Sequence, residues 1–310
     1  MSDKNDRYVV FIGEACMDEY YETNRWGQMG DKMMLVPQGS LVGGMVPNAG
    51  GVMAGYGHQT YLIDAQSDSP VCRHIKEEIR KSGMNVDYIM LDEQMADPKC
   101  IIVTQEGERV VCVVDTKRAP RIITPHHQQL LNGATYIYTI IRTLQQIENA
   151  PAVLDEAKAN GCKLFLDVEG LVEEDNDLTY ITRANTLSFN DQGFDAFRKQ
   201  QSKEECLQTL FGYGVEVVVI TLGADGCEVH TPEKSYRVAG IPTKPIDTTG
   251  AGDTFNASFV YRMLHDYPLD DCARFANAAA ARAITVFGPR GGICDLSTIE
   301  QLVKEHYGRV

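Results

Sequence analysis

Four short runs of apolar, mostly β-branched or aromatic residues set the tightest limit on what this chain can become: YVVFIG at 8–13, YIYTII at 136–141, CKLFLDV at 162–168 and VEVVVITLG at 215–223. A strand with one solvated face alternates apolar and polar residues, so near-continuous apolar runs bounded by turn residues belong in a sheet covered on both faces. Segments of helical period lie between them, SPVCRHIKEEIRKSG at 69–83 and QQIENAPAVLDEAKANG at 145–161. Each closes on glycine, and the second is expected to start at Pro151, because proline is tolerated only in a helix's first turn. The alternation predicts an α/β fold, a doubly wound, mostly parallel sheet flanked by helices.

Two segments break the alternation. One, about 18–42, is rich in Tyr, Gly and Met; the other, about 97–118, contains CIIVTQEGERVVCVVD and reads as a hairpin turning at Glu106-Gly107. Together they are expected to form a small β lid beside the main sheet. No repeat, low-complexity linker or composition break divides the chain, so residues 1–310 are read as a single domain carrying that lid. A chain of this length buries a core without metals or disulfides.

Charge and cysteine usage narrow the partners. Lys and Arg total 29 against 43 Asp and Glu, a net charge of -14 with no basic stripe, so nucleic acid is not an expected partner. The nine cysteines are scattered with no C-x-x-C pair, which predicts reduced thiols and a cytoplasmic setting. No apolar run is long enough to span a bilayer and MSDKNDRYVVFIG lacks a leader's apolar region, so no membrane association is expected.

The chemistry concentrates in PIDTTGAGDTFNASFVYRML at 245–264. Phe255, Phe259, Val260, Met263 and Leu264 fall on one helical face, so a helix is expected to begin between Gly250 and Asp253. Its first-turn amides have no intrahelical acceptors and, with the helix dipole, suit an anion. Asp253 as a plain N-terminal helix acid beside a tight glycine turn fits the same spacing. With no G-x-x-x-x-G-K-[ST] this is not a Walker P-loop, and a first strand running into GEACMD rather than G-x-G-x-x-G argues against a nicotinamide dehydrogenase, the remaining rival for such a sheet.

DTTGAGDTFNASF resembles the C-terminal signature of the ribokinase-like (PfkB) carbohydrate kinases, with the D-T-x-G-A-G-D core intact. The resemblance implies a ribokinase-like fold and ATP-dependent phosphoryl transfer to a hydroxyl of a small sugar or sugar acid. It makes Asp253 the general base and the amides of Gly250, Ala251 and Gly252 the anion hole for the γ-phosphoryl group. At a helix N-terminus Asp253 is expected to stay ionised and to be a weak base, enough for a loose transition state.

Further landmarks follow in order. FIGEACMD resembles the family's first strand and sugar-binding acid, Asp18. VGGMVPNAGG resembles its G-G-x-x-x-N-x-A element, so Gly43, Gly44 and Asn48 are expected to grip the acceptor, with Gly50 where alanine is usual. VVVITLGADGCEVH implies nucleotide contacts from Thr221, Gly223 and Gly226, and CARFANAAAARAITVFGPRGG implies them from Asn277 and Gly288. SFNDQGF resembles the N-x-x-E element that organises Mg2+ and phosphate, with Asn190 in place and Gly193 where Glu is expected. Asp247 and the Thr249 carbonyl match a monovalent-cation position, so K+ is expected beside ATP and Mg2+.

Two departures leave the sugar open: Ile141-Arg142 stands where an acidic substrate residue is usual, and DVEGL at 167–171 replaces D-x-N-x-R. Arg118, Arg121 and Arg142 are candidates for a carboxylate or phosphate on the acceptor. Alternatives are a nucleoside kinase clamping a base with Tyr20, Tyr21 and Trp26, and a catalytically silent sugar or nucleotide sensor. An apolar lid face needs covering, which predicts a homodimer through the lid.

Overall fold

A computed structural model describes residues 7–106, 108–116, 120–169 and 177–308. Gly107, Arg118, Gly170 and Leu171 lie outside the described residues. Among the described residues thirteen strands run in chain order: β1 (Val9–Ile12), β2 (Cys16–Glu22), β3 (Val36–Gly43), β4 (Thr60–Gln66), β5 (Ile89–Leu91), β6 (Lys99–Gln105), β7 (Glu108–Val113), β8 (Tyr136–Ile140), β9 (Lys163–Glu169), β10 (Thr186–Asn190), β11 (Val217–Thr221), β12 (Cys227–His230) and β13 (Ser235–Val238).

Nine of them form one sheet in the order β13-β12-β11-β10-β9-β8-β1-β4-β5. The seven from β5 to β11 are mutually parallel, and β12 and β13 add an antiparallel edge. Strand alternation explains the apolar runs. Val9 and Phe11 enter the core on one face while Val10 and Ile12 enter the core on the other, and Val217 and Val219 are divided from Val218 and Ile220 in the same way.

The four remaining strands form a separate small sheet, β3-β2-β6-β7, with β2 and β6 parallel. It comes from the two segments that broke the alternation. Tyr20 packs against Phe287 at 5.4 Å between ring centroids, and Arg109 on β7 reaches Thr248 and Thr249, so the small sheet leans on the loops at one edge of the large one.

The helices follow their punctuation. Pro70–Lys81 is capped by the Ser69 side chain, which accepts from Cys72 N, and Ala150–Ala159 carries Pro151 in its first turn. Ala251–Leu264 differs from the expected one-sided helix. Every residue from Asp253 to Arg262 is buried, because it lies between the helices Met45–Gly55 and Leu269–Ala283. The strand β4 is concealed in sequence by the polar Asp64 inside TYLIDAQ. That carboxylate is wholly buried, accepting from Ala15 N at 3.0 Å and facing the Arg121 guanidinium at 3.5 Å.

Candidate active site

The chain leaves β1 for the small sheet, returns as β4 on one side of β1, and later enters β8 on the other. Such a switch point opens a crevice beyond the C-terminal ends of the strands. A cleft of ≈ 1000 Å³ lies there. Cys16 and Asp18 reach it from β2, Asn48 from the first turn of Met45–Gly55, and Arg109 from β7. Arg142, Asp167, Asn190 and Thr221 reach it from the ends of β8, β9, β10 and β11, and Thr248, Thr249, Gly250, Gly252 and Asp253 close its floor.

Gly250 caps the floor helix with φ 77, and a Cβ there would stand 2.0 Å from the Pro289 carbonyl oxygen, so both conformation and space demand glycine. Gly252 has nothing within 4 Å of where a Cβ would point. Of the three amides expected to face an anion, that of Ala251 donates to the Thr248 carbonyl at 3.3 Å, and Ala251 is not among the cleft-lining residues.

Asp253 departs from the weak, ionised acid expected of a helix N-terminus. Burial pushes its carboxyl up to about 7; the Asn48 amide and Arg109 pull it down, and the Asp167 and Asp18 carboxylates push it further up. Desolvation is the largest of these contributions. Asn48 Nδ2 donates to Asp253 Oδ2 at 3.0 Å, leaving Asn48 Oδ1 buried without a partner among the described residues. A buried acceptor in that state favours a hydroxyl donor arriving from the cleft.

Asp18 is also buried, and its carboxyl is pushed up to about 6 by desolvation, against the thiols of Cys16 and Cys100 that hydrogen-bond it. Gly43 makes room for it: a Cβ would lie 2.0 Å from Asp18 Oδ2. Gly50, the departure from alanine, is explained by Met84, whose methyl carbon would be 2.2 Å from a Cβ there.

The other expected positions divide. Asn190 lines the cleft and its Oδ1 caps the helix Asp191–Arg198 by accepting from Gly193 N at 2.6 Å, and Gly193 brings no side chain where Glu is expected. Asp247 ties two loops together, accepting from Thr249 N and Oγ1 at 2.9 and 2.7 Å and from Gly288 N at 2.9 Å. Gly223 and Gly226 bound the turn from β11 into β12, and Asn277 Nδ2 donates to the Val238 and Ala239 carbonyls beneath β13. Gly43, Gly223, Gly226, Asp247, Asn277 and Gly288 are not among the residues lining the cleft. Arg121 is spent on Glu14 at 2.8 Å and on Asp64, whereas Arg142 lines the cleft.

Two features escaped sequence reasoning. Arg109 Nη1 donates to Thr248 Oγ1 at 2.9 Å and Thr249 Oγ1 at 2.7 Å and stands 3.5 Å from Asp247 Oδ1, yet nothing marks it within its hairpin sequence. A buried polar chain also runs beside Asp253: Ser188 Oγ donates to Asn256 Oδ1 at 2.7 Å and Asn256 Nδ2 donates to Asp167 Oδ2 at 2.8 Å. Asn256 follows Asp253 at helical i,i+3 spacing, a signal that could have found it.

The chain and its fold have relatives among known proteins. The chain is 26% identical over 304 residues to a ribokinase of Bacillus subtilis, covering 96% of this chain and 99% of that one. It is 22% identical over 321 residues to a 5-dehydro-2-deoxygluconokinase of Geobacillus kaustophilus, covering 96% and 93%. The solved Arabidopsis thaliana ribokinase complexed with ribose and ATP superposes with a TM-score of 0.84 at 23% identity, covering 96% of this chain and 98% of that one. The model of the pfkB family carbohydrate kinases matches residues 6–294. A doubly wound sheet with its cleft at the switch point, the glycine-capped floor helix and a family match over nearly the whole chain together establish that this protein belongs to the PfkB family of carbohydrate kinases.

Proposed function

We propose that the protein transfers the γ-phosphoryl group of ATP to a hydroxyl of a small sugar or sugar acid, with Asp253 as the general base. One observation carries the reading: a buried carboxyl, raised to about 7, at the first turn of a helix on the cleft floor, with the unpartnered Asn48 Oδ1 beside it. A base with that affinity is about half ionised near neutral pH and takes a proton more readily than a free carboxylate.

The acceptor lies between Asp18 and Asn48. Its attacking hydroxyl donates to Asp253, and a neighbouring hydroxyl donates to Asn48 Oδ1. Gly43 and Gly44 keep side chains away from it. As the oxygen bonds to phosphorus its proton passes to Asp253, while the amides of Gly250, Ala251 and Gly252 and the Arg109 guanidinium face the charge on the phosphoryl oxygens. The nucleotide runs past Asn190 and Thr221 toward Gly223, Gly226, Asn277 and Gly288.

Asn190 on the cleft wall, with Asp191 next to it in the chain, would help hold magnesium, and with Gly193 in place of Glu the phosphates and water would supply most of its ligands. Magnesium bound there neutralises charge on the phosphate oxygens. Potassium beside Asp247 and the Thr249 carbonyl belongs to the same proposal.

Arg142 on the cleft wall favours an acceptor carrying a carboxylate. Tyr20, Tyr21 and Trp26 are not among the cleft-lining residues, so the aromatic clamp behind a nucleoside kinase has no support, and a raised Asp253 has no use in a silent sensor. Leu35, Val36, Leu41 and Val110 are exposed on or beside the small sheet, apolar surface that a second copy docking on the lid would cover. A monomer by light scattering at working concentration refutes that dimer. No helix among the described residues is long and apolar enough to cross a membrane, and a cytoplasmic location is part of the proposal.

The test is an ADP-release assay with ATP, Mg2+ and K+ against pentoses, hexoses, sugar acids and nucleosides, with Asp253→Asn alongside. Turnover of a sugar or sugar acid that falls about 10² to 10⁴-fold in the variant is expected. Turnover confined to nucleosides, or unchanged in the variant, refutes the reading.

A further inference from the structure

Cys16 and Asp18 stand at i and i+2 on β2, and Asp18 pairs directly with Cys100 on the parallel neighbour β6. Strand alternation therefore puts all three side chains on one face of the small sheet. That face is turned to the cleft, which all three line. Cys16 Sγ lies 3.2 Å from Asp18 Oδ1 and 3.7 Å from Cys100 Sγ, and one ligand atom from each residue falls within 4.8 Å of the others.

These separations have the scale of a tetrahedral site. Two thiolates bound at about 2.3 Å to a tetrahedral ion stand about 3.8 Å apart, and a thiolate and a carboxylate oxygen on the same ion stand about 3.5 Å apart. A disulfide would need the sulfurs at about 2.05 Å. Two sulfurs and one oxygen make a donor set that prefers zinc or cadmium to the magnesium that travels with a nucleotide. We propose that Cys16, Asp18 and Cys100 form a three-ligand site for a thiophilic divalent cation, Zn2+ or Cd2+, whose occupation blocks the acceptor end of the cleft.

Binding forms two metal–sulfur bonds and one metal–oxygen bond, and the two thiol protons pass to solvent. The fourth position opens into the cleft and takes water. Asp18 Oδ1 is then a ligand, withdrawn from acceptor hydroxyls; this blocking step rests on the proposed role of Asp18, whereas the binding step does not. Arg142, which lines the same cleft and acts electrostatically on Cys100, offsets the residual negative charge of two thiolates and a carboxylate around a doubly charged ion.

The test separates the two steps. The reduced full-length protein is titrated with Cd2+ without nucleotide or acceptor, following thiolate-to-metal absorption and stoichiometry, in parallel with Cys16→Ser and Cys100→Ser whose melting confirms folding. The expected result is one more tightly held equivalent in the wild type than in either variant, with affinity at that site lowered by about a hundredfold or more, since loss of outer-shell partners alone costs about 10 to 100-fold. Cd2+ is also expected to raise the wild-type KM for the acceptor, with each variant, normalised to its own uninhibited rate, resisting it.

Equal stoichiometry and affinity in all three proteins overturns the site. Binding that leaves the acceptor KM unchanged overturns the proposal that the site blocks the acceptor. Because the titration needs no turnover, it decides for or against the site even in a protein that phosphorylates none of the tested sugars.

Discussion

Replacing Asp253 with asparagine is expected to stabilise the fold at neutral and alkaline pH while lowering turnover by about 10² to 10⁴-fold. Burial lifts the carboxyl from 3.8 to about 7. The folded value lies above the unfolded one, so the native state holds the proton more tightly; the associated stability is fully present below about pH 4 and is lost as pH rises through about 7. Between pH 5 and 8 that loss comes to about 3 kcal/mol, on the order of 1.4 kcal/mol per tenfold change in proton affinity. Asparagine does not titrate and escapes the loss. A chain of 310 residues melts with an entropy of about 0.65 kcal/mol per degree, so the difference in Tm between Asp253→Asn and wild type should widen by about 4 to 5 °C from pH 5 to pH 8. Scanning calorimetry of both proteins without ligands measures it, and the kcat/KM profile of the wild type should rise with pH through the same range. A Tm difference that stays flat or narrows over that interval refutes the claim that burial, rather than the helix dipole, governs this carboxyl.

Arg109→Met removes a positive charge that lowers Asp253's affinity for its proton, so the acid limb of kcat/KM should move to higher pH and kcat should fall about tenfold, with little change in melting because the side chain is at the surface; an unmoved limb refutes the electrostatic link. Gly43→Ala drives a Cβ to 2.0 Å from Asp18 Oδ2 and should raise the acceptor KM about tenfold or more while the nucleotide KM holds, at a stability cost of about 1 to 3 kcal/mol; an unaltered acceptor KM removes Asp18 from the acceptor site. Exchanging K+ for tetramethylammonium should slow turnover if a cation sits beside Asp247, and indifference to the exchange leaves Arg109, 3.5 Å away, as that carboxylate's cation.

The local chemistry that period and punctuation encode was open to sequence alone. A strand buried on both faces must be apolar at every position, so β1, β8, β9 and β11 announced themselves, and Ser69, Pro70 and Pro151 marked helix starts because caps act within a turn. The glycine-capped start of Ala251–Leu264 was legible for the same reason: Gly250 answers to a local backbone angle. Buried polar strands were not legible, since Asp64 in β4 accepts not only from its neighbours Ala65 and Gln66 but also from partners 49 and 57 residues away.

The state of the site was set by tertiary structure. Nothing within a few residues of Asp253 raises its carboxyl; that comes from burial between two helices and from Asp167 and Asp18, brought near by the sheet. Arg109 reaches the floor loop across 139 residues of chain because the small sheet leans over it, and Cys100 meets Cys16 because β2 and β6 pair. Desolvation and long-range charge depend on what the whole fold excludes and assembles, which spacing along one segment does not carry.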